Sequence, residues 1–253
     1  MCRLKWNEEK REDSEPKFGS QRKTDLRQGL SFVRSTLRGF QHRQSCIQIK
    51  LMGRTSDAKE KLLDVAFRLI WDNSYGSVSI DQMCERAKVN KGSFYHFFGT
   101  KADLTVAAYE EHWKQHQQHL DRIFSAQVPP LERLKNWCSH IYQRQKQKAA
   151  EYGHICGCPY ASIGAEVATQ DDKIRAKAEE LMARSRKYLE SAIADARREG
   201  SVAVENPRLA AQQVYSFVLG SILQAKIQND VEVLRHLEQT VMAIIGARTA
   251  VPA

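Results

Sequence analysis

The sequence of 253 residues predicts an all-α fold of about nine helices. Three observations lead to this prediction. From residue 55 to residue 245, apolar residues recur every three or four positions in one segment after another, as on one face of an α-helix. No segment of useful length shows the strict apolar–polar alternation of a strand. Glycine, proline and good N-cap residues separate the periodic segments.

The composition excludes several classes of protein. Apolar residues make up 42% of the chain, too many for a chain that is disordered throughout. No stretch of about 18 apolar residues is present, so no membrane-spanning helix is predicted. Six cysteines are too few for a disulfide-built fold, and the N-terminal charges are not followed by the apolar run of a secretory signal. These features together predict a cytoplasmic protein with reduced thiols.

Residues 1–51 stand apart by their charge. They hold twelve lysines and arginines against six acidic residues, and thus two thirds of the chain's net charge of +9. Three interpretations stay open: residues upstream of a natural start at Met52, a disordered basic arm that adds phosphate contacts, or a structured element. We treat 1–51 as a basic extension and 249–253 as a short tail.

Residues 52–100 predict three helices in succession. Ser79 is a good N-cap for the second helix and, with Gln82, forms a capping box. Asn90 can cap the third helix, which Gly99 ends. A helix, a tight turn and a very short helix are typical of a helix-turn-helix. The first helix shows an apolar stripe of Leu62, Leu63, Ala66, Phe67 and Ile70.

The most specific motif is the run Gly92-Ser93-Phe94-Tyr95-His96-Phe97-Phe98, followed by Lys101 and Leu104. With its surroundings, residues 55–104, it resembles the DNA-binding domain of the TetR (AcrR-type) transcriptional regulators, which usually show G-x-[FIL]-Y-x-[YH]-F and then K-x-x-L. The resemblance implies an N-terminal helix-turn-helix domain over 52–100 and a helical ligand-binding and dimerisation domain over 101–248.

The third helix is predicted to read DNA. A recognition helix contacts base edges near its N-terminus and phosphates with its flanks, and Gly92 lets the backbone approach the groove closely. Free N–H groups at the start of the fourth helix attract a phosphate. The predicted DNA contacts are Arg54, Ser79, Lys91, Gly92, Ser93, Tyr95, His96, Thr100 and Lys101. The alternative for Arg54, Tyr95 and His96 is a solvated surface. Three phenylalanines are predicted to hold the helix to the core: Phe94, Phe97 and Phe98.

Six further helices are predicted beyond residue 100. The sequence Val128-Pro129-Pro130 separates the first two, and Gly200 and Pro207 separate two later ones. The predicted helices cover residues 101–125, a segment from 131, 161–168, 172–200, a segment from 207, and one helix after Asp230.

The last two helices carry more apolar surface than one antiparallel hairpin requires. In the TetR-like family, these helices pair with their copies in a second subunit. A homodimer also suits a palindromic double-stranded operator, since two recognition helices must lie roughly 34–36 Å apart. The alternative is an intrachain core. The predicted interface residues are Val214, Phe217, Val218, Ser221, Ile222, Leu234, Leu237, Val241 and Ile244.

Aromatic and polar residues of the second domain predict a cavity for a small-molecule inducer, since such cavities combine apolar walls with a few polar groups. Plain helix packing is the alternative for each residue. The candidates are Trp113, His116, Trp137, Tyr142, Cys156, Cys158, Tyr160 and Phe217, with Tyr215 in the same aromatic set. The sequence does not identify the inducer.

Two clusters suggest other chemistry. Cys156 and Cys158, beside His154, could sense oxidants or electrophiles if one thiol has a lowered pKa, and packing is the alternative. Residues 157–166 also resemble a G-C-x-[LVF]-x-x-[LI]-x-x-E stretch of one branch of the family. A separate cluster at helical spacing consists of His112, His116 and His119; the glutamines around it favour a solvated polar face, so neither a metal nor a cofactor is predicted.

The sequence therefore predicts a dimeric DNA-binding regulator, a repressor that a small-molecule inducer releases from its operator. The alternatives are thiol-based sensing through Cys156 and Cys158, and a DNA-binding protein that senses nothing. An enzyme is not predicted, because the chain has no nucleophile elbow, phosphate loop or zinc-hydrolase motif. A solvent-poor chamber of roughly a few hundred Å³ in the second domain would favour sensing.

Overall fold

Nine α-helices and one short 3₁₀-helix make up most of residues 57–248, the part of the chain that the computed structural model describes. The predictions for 1–51, Arg54 and 249–253 lie outside this part. The helices are α1 (57–72), α2 (Ile80–Ala87), α3 (Lys91–Phe97), α4 (Lys101–Ile123), α5 (Pro130–Tyr152), α6 (Pro159–Val167), α7 (Asp172–Arg198), α8 (Pro207–Gln228), the 3₁₀-helix Val231–Leu234 and α9 (Leu237–Ile244).

The predicted all-α fold is confirmed. Within residues 57–248, the extended contact is a single isolated antiparallel bridge between Val202 and Ala247. In the same range, no helix is long and apolar enough to cross a lipid bilayer.

The first three helices form around the predicted caps. The Ser79 hydroxyl accepts from the Gln82 backbone N–H at 3.2 Å, while the Gln82 side chain accepts from the Ser79 N–H at 2.7 Å. Asn90 Oδ1 caps α3 by accepting from the Ser93 N–H at 2.8 Å. Between α2 and α3, Lys88 takes the left-handed conformation with φ of 54°. This turn ends α2 and changes the direction of the chain before α3 begins.

The second domain is built around α7, which packs against α4, α5, α6 and α8. One face of α7 is buried over most of its length because its apolar residues recur at helical spacing. The buried residues of α7 are Ile174, Ala178, Leu181, Leu189, Ala192, Ile193 and Ala196.

The last predicted helix is divided in two. Asp230 caps the segment that follows α8, and its carboxylate accepts from the Glu232 N–H at 2.9 Å. The Arg235 N–H then bonds the Glu232 carbonyl at 3.0 Å, an i to i+3 bond of a 3₁₀ turn. Helix α9 begins only at Leu237.

Most of the predicted dimer-interface residues are buried within the single chain. Phe217, Ser221 and Ile244 are half-buried. The other six are buried: Val214, Val218, Ile222, Leu234, Leu237 and Val241. On α8, the exposed large apolar residues are instead Leu209, Leu223 and Ile227.

Candidate DNA-binding surface and ligand cavity

Helix α3 presents two distinct sides. Phe94 is fully buried and Phe98 nearly so, and Phe97 is half-buried against the same core. These phenylalanines hold the helix to the core, as predicted. On the opposite side, Tyr95 is 58% exposed and His96 is exposed beside it. Helix α3, which has seven residues, is thus anchored to the core on one side, and its other side is free to contact another molecule.

Several predicted DNA contacts surround this exposed side. Lys91 and Gly92 are exposed at the start of α3, where the Lys91 ammonium pairs with Asp81 at 2.5 Å. Ser93 is half-buried, and Ser79 and Thr100 are exposed cap residues whose hydroxyls accept from backbone N–H groups. The Ser79 cap bond leaves its hydroxyl proton to another acceptor, whereas the Thr100 hydroxyl donates to Asp103 Oδ2 at 2.8 Å.

Lys101 is not the free phosphate contact that its place in the motif suggests. Its side chain is half-buried, and its ammonium donates to the carbonyl of Tyr75 while lying 4.0 Å from the centre of the Tyr75 ring. Burial lowers the pKa of Lys101. The residue therefore joins α4 to the loop between α1 and α2.

A cavity of about 90 Å³ lies in the second domain. Its wall combines an apolar majority with a few polar groups, as binding cavities do. It is smaller than the chamber expected from the sequence. The lining residues come from α1, α4, α5, the α5–α6 loop, α6, α7 and α8: Trp71, His112, His116, Leu120, Trp137, His140, Ile141, Arg144, Gln145, Gly157, Cys158, Pro159, Tyr160, Ser185, Tyr215, Val218, Leu219 and Ile222.

Half of the predicted ligand contacts line this cavity, namely His116, Trp137, Cys158 and Tyr160, and Tyr215 joins them. The other four do not. Trp113 is buried and donates to Gln117 Oε1 at 3.1 Å, and the Tyr142 hydroxyl donates to Glu232 Oε1 at 2.9 Å. Cys156 is buried but does not line the cavity. Phe217 is half-buried and lies on a different side of α8 from the residues that do.

Sequence reasoning missed the polar half of the wall on α5. Trp137 and Ile141 mark the inward stripe of that helix, and Arg144 and Gln145 continue it by one further turn. The periodicity was the available signal. Arg144 and Gln145 lie at the end of this apolar stripe, and the fold therefore places both polar side chains in the cavity wall.

The solvated face predicted for the histidines of α4 is wrong for two of them. His112 and His116 are half-buried and line the cavity, while His119 is exposed. Burial, and then the nearby Arg144 charge, lower the pKa of His112 to about 2 and that of His116 to about 3. Both imidazoles are neutral at physiological pH.

Arg144 organises these side chains. Its guanidinium contacts His112 Nε2 at 3.0 Å and His116 Nδ1 at 3.4 Å. Because a guanidinium only donates, His112 Nε2 is the acceptor and His112 Nδ1 carries the proton. His112 Nδ1 therefore donates to the Tyr160 hydroxyl oxygen at 2.9 Å, which leaves the Tyr160 hydroxyl proton for another acceptor.

The two loop thiols lack the features of a reactive pair. Cys156 is only 1% exposed, and burial raises its pKa. Burial also raises the pKa of Cys158, although Cys158 lines the cavity. The His154 imidazole, which the sequence suggested as an activating group, has Asp72 as its partner, with Nε2 3.1 Å from Asp72 Oδ1.

Three donor atoms converge beside this loop. Asp72, His154 and Cys156 each offer one atom, and these atoms lie within 4.8 Å of one another. Among residues 57–248, these three residues form the one group of at least three metal-ligating side chains that lie close enough together to hold a metal ion. The raised pKa of the Cys156 thiol opposes metal binding, since the thiolate is the ligand.

The cavity is in direct contact with the DNA-binding domain. Trp71 of α1 lines it, and the ring of His112 stacks on Phe67 of α1 with centroids 3.9 Å apart. On α6, the Glu166 carboxylate accepts from the backbone N–H groups of Tyr75 and Gly76, at 2.9 and 2.7 Å. Side chains that a ligand would touch therefore also contact α1.

Two family models match the chain. One, described as bacterial regulatory proteins of the tetR family, matches residues 62–108. The other, described as the tetracyclin repressor-like C-terminal domain, matches residues 130–241. The two matches cover the helix-turn-helix and the helices that form the cavity.

Similar proteins support the same grouping. The repressor NemR of Escherichia coli is 27% identical over 192 residues, which are 75% of this chain and 94% of NemR. An uncharacterised HTH-type transcriptional regulator in the lacX 3′ region of Lactococcus lactis is 28% identical, over 70% of this chain and 88% of its own length. The crystal structure of reduced E. coli NemR superposes with a TM-score of 0.68 and 27% identity, covering 77% of this chain and all of that one.

Proposed function

We propose, since the chain belongs to the TetR family of transcriptional regulators, that it is a repressor. A small molecule in the cavity that α1 and α4 to α8 line controls its binding to the operator. The observation that carries this proposal is the cavity itself, whose wall includes Trp71 of the DNA-binding domain. The similar NemR protein is named a repressor. The family assignment makes the chain a DNA-binding regulator and not an enzyme.

We propose that α3 enters the major groove with Tyr95 and His96 towards the DNA. Tyr95 is 58% exposed, and Lys91 and Gly92 at the N-terminal end of α3 are also exposed. Phe94, on the opposite side of the helix, is buried in the core. Lys91, Gly92, Ser93 and Thr100 flank this side and supply phosphate and base contacts. Lys101 has a positioning role, since its ammonium is held by Tyr75.

Replacing Tyr95 by alanine is expected to weaken operator binding by at least about tenfold, as for other single groove contacts worth about 1–3 kcal/mol. Stability is expected to change by less than about 0.5 kcal/mol because the ring is exposed. Fluorescence anisotropy with the duplex upstream of the coding gene measures the first, and urea unfolding the second. The Gln118→Ala variant, at an exposed residue of α4 outside α3 and the outer side of α8, serves as a control. Wild-type affinity of the Tyr95 variant would remove Tyr95 from the interface.

We propose that the repressor is a homodimer that pairs through the outer side of α8. Phe217, Gly220, Leu223 and Ile227 recur at helical spacing on that side, and Leu223 and Ile227 are 58% and 75% exposed. A Cβ placed on Gly220 would meet nothing within 4 Å, so a second helix can approach closely there. Dimerisation would present two α3 helices to successive major grooves of a palindromic operator.

We propose that the inducer acts through α1 and α6. A ligand in the cavity touches Trp71 on α1 and Tyr160 on α6, and α6 holds the α1–α2 loop through Glu166. The ligand lowers operator affinity if it binds the form in which α1 is displaced more tightly than the DNA-binding form. The ratio of its affinities for the two forms sets the size of that effect.

A thiol-based sensor is the second candidate mechanism, suggested by the crystal structure of the reduced form of the similar E. coli NemR. The raised pKa values of Cys156 and Cys158 favour a noncovalent inducer instead. The double variant Cys156→Ser/Cys158→Ser is therefore expected to bind operator like the wild type. Diamide and a quinone are expected to release neither protein, as measured by electrophoretic mobility shift. Release of the wild type alone would establish the thiols as the sensor.

A further inference from the structure

We infer that the cavity takes a small carboxylate, held by the Arg144 guanidinium and the indole N–H of Trp71. The inference rests on the proposed function, because it names the chemical class of the inducer for the same cavity. Three observations carry it: an arginine without an acidic partner, unpaired polar atoms that share one cavity, and the size of that cavity.

The first observation is the isolation of the Arg144 charge. Its hydrogen-bond partners are the neutral imidazoles of His112 and His116, and it forms no ion pair with an acidic residue among residues 57–248. Three acidic residues of the neighbouring cleft pair with other cations: Asp64 with Arg68, Glu111 with Lys114, and Glu151 with Lys148. A half-buried charge without a counter-charge is only partly solvated, so the cavity attracts an anion.

The second observation concerns unpaired polar atoms. Three buried side-chain atoms lack a hydrogen-bond partner among residues 57–248: Trp71 Nε1, His140 Nε2 and Gln145 Oε1. All three residues line this one cavity. Trp71 and Gln145 are each 6% exposed. Buried polar atoms in folded proteins are nearly always satisfied, so their concentration here marks a polar occupant.

The hydrogen-bond donors of this cavity select a carboxylate, whereas Gln145 Oε1 is an acceptor and is not part of that donor set. Arg144 and Trp71 Nε1 are obligate donors, and the Tyr160 hydroxyl proton is also available because its oxygen accepts from His112. A carboxylate has two oxygens and accepts from several donors at once, and an arginine fork matches it. A cation would instead meet the Arg144 charge, and an apolar molecule would leave the donors unpaired.

The volume limits the size of the acid. About 90 Å³ is less than the roughly 150 Å³ of a cavity that admits benzene. Acetate and propionate have fewer heavy atoms than benzene and fit this limit, whereas benzoate exceeds it. A carboxylate bound between Arg144 on α5 and Trp71 on α1 would also join the ligand directly to the DNA-binding domain.

Isothermal titration calorimetry of the full chain with sodium propionate, propionamide and sodium benzoate tests the inference. Propionate is expected to bind at least about tenfold more tightly than the neutral propionamide, and more tightly than benzoate. Arg144→Gln is expected to weaken propionate binding by about 100-fold or more, and Trp71→Phe, which removes only the N–H, by about tenfold, as for hydrogen bonds to charged groups. Arg184→Gln, which changes an arginine paired with Glu110 outside the cavity, is the matched control and is expected to bind normally.

Equal binding of propionate and propionamide, or no binding of acetate or propionate, would overturn the inference. So would wild-type affinity in the Arg144→Gln variant; Trp71→Phe answers the same question if that variant does not fold. Anisotropy with operator DNA separates the two proposals. A neutral compound that occupies the cavity and releases DNA would overturn the carboxylate and leave the proposed function intact. Failure to bind any upstream DNA would overturn the proposed function, whatever the calorimetry shows.

Discussion

Replacing Phe94 by alanine is expected to lower the free energy of unfolding by about 3–5 kcal/mol, the usual cost of truncating a buried phenylalanine. Phe94 is fully buried, and its ring contacts Tyr95 and Phe98 at centroid distances of 5.0 and 6.1 Å. Loss of the ring would leave a void beneath a helix of seven residues that cannot persist alone. Urea unfolding followed by circular dichroism measures the change.

The neighbouring Tyr95→Ala variant is the matched control, because it removes a ring of similar size from the exposed side of the same helix. The two variants are expected to differ in kind. Phe94→Ala loses stability and operator binding together, whereas Tyr95→Ala loses operator binding alone. Similar stability losses in both would contradict the assignment of an anchored and an exposed side.

Replacing Asp195 by alanine is expected to cost about 3 kcal/mol of stability. Its partner Arg133 is 6% exposed, and the guanidinium donates to Asp195 Oδ2 at 2.6 Å. The same guanidinium also donates to the carbonyls of Val128 and Ala126, at 2.6 and 3.2 Å. Breaking a buried pair leaves an uncompensated charge, which costs about 3–5 kcal/mol. We expect the lower value because Arg133 keeps both carbonyl partners.

A double variant separates the charge from the loss of packing. Because an apolar pair of similar volume often replaces a buried ion pair without loss, Arg133→Met/Asp195→Ala is expected to be more stable than Asp195→Ala alone. Thermal unfolding of the two variants and the wild type gives the comparison. A double variant that is less stable than the single one would show that the Arg133 side chain itself, and not its unpaired charge, is what the fold requires.

The pH dependence follows from the same pair. Burial raises the pKa of the Asp195 carboxyl, but hydrogen bonds from Arg133 and Arg198 outweigh burial and hold this pKa below its usual range. A carboxyl with a lowered pKa in the folded state stabilises the protein above its unfolded pKa of about 3.9, and this contribution is lost as the pH falls further. The stability difference between wild type and Asp195→Asn is therefore expected to shrink below about pH 4 in urea titrations. A difference that is constant down to about pH 2 would contradict the pairing.

Local sequence determined the helices and their ends. Ser79, Asn90 and Thr100 satisfy backbone N–H groups only a few residues away, so their capping roles depend on neighbours that the sequence already shows. The anchoring of α3 by Phe94 and Phe98 follows from helical spacing for the same reason. The all-α fold and the helix-turn-helix were therefore predictable.

The cavity and the free surface of α8 were decided by tertiary structure. Helical spacing shows that Val218 and Leu223 of α8 lie on different sides, but not which side the other helices cover. The side with Val214 and Val218 is buried within the chain, and the side with Leu223 and Ile227 is left exposed.

The same limit explains the binding site. His112 and Arg144 are distant in sequence, and their contact depends on how α4 and α5 pack. The half-buried position of Arg144 beside two neutral imidazoles, without an acidic partner among residues 57–248, is a property of that packing. The sequence by itself determined the helices and the side of α3 that is free to meet DNA. Only the tertiary structure decided which polar side chains share a cavity, because that depends on contacts between helices far apart in the chain.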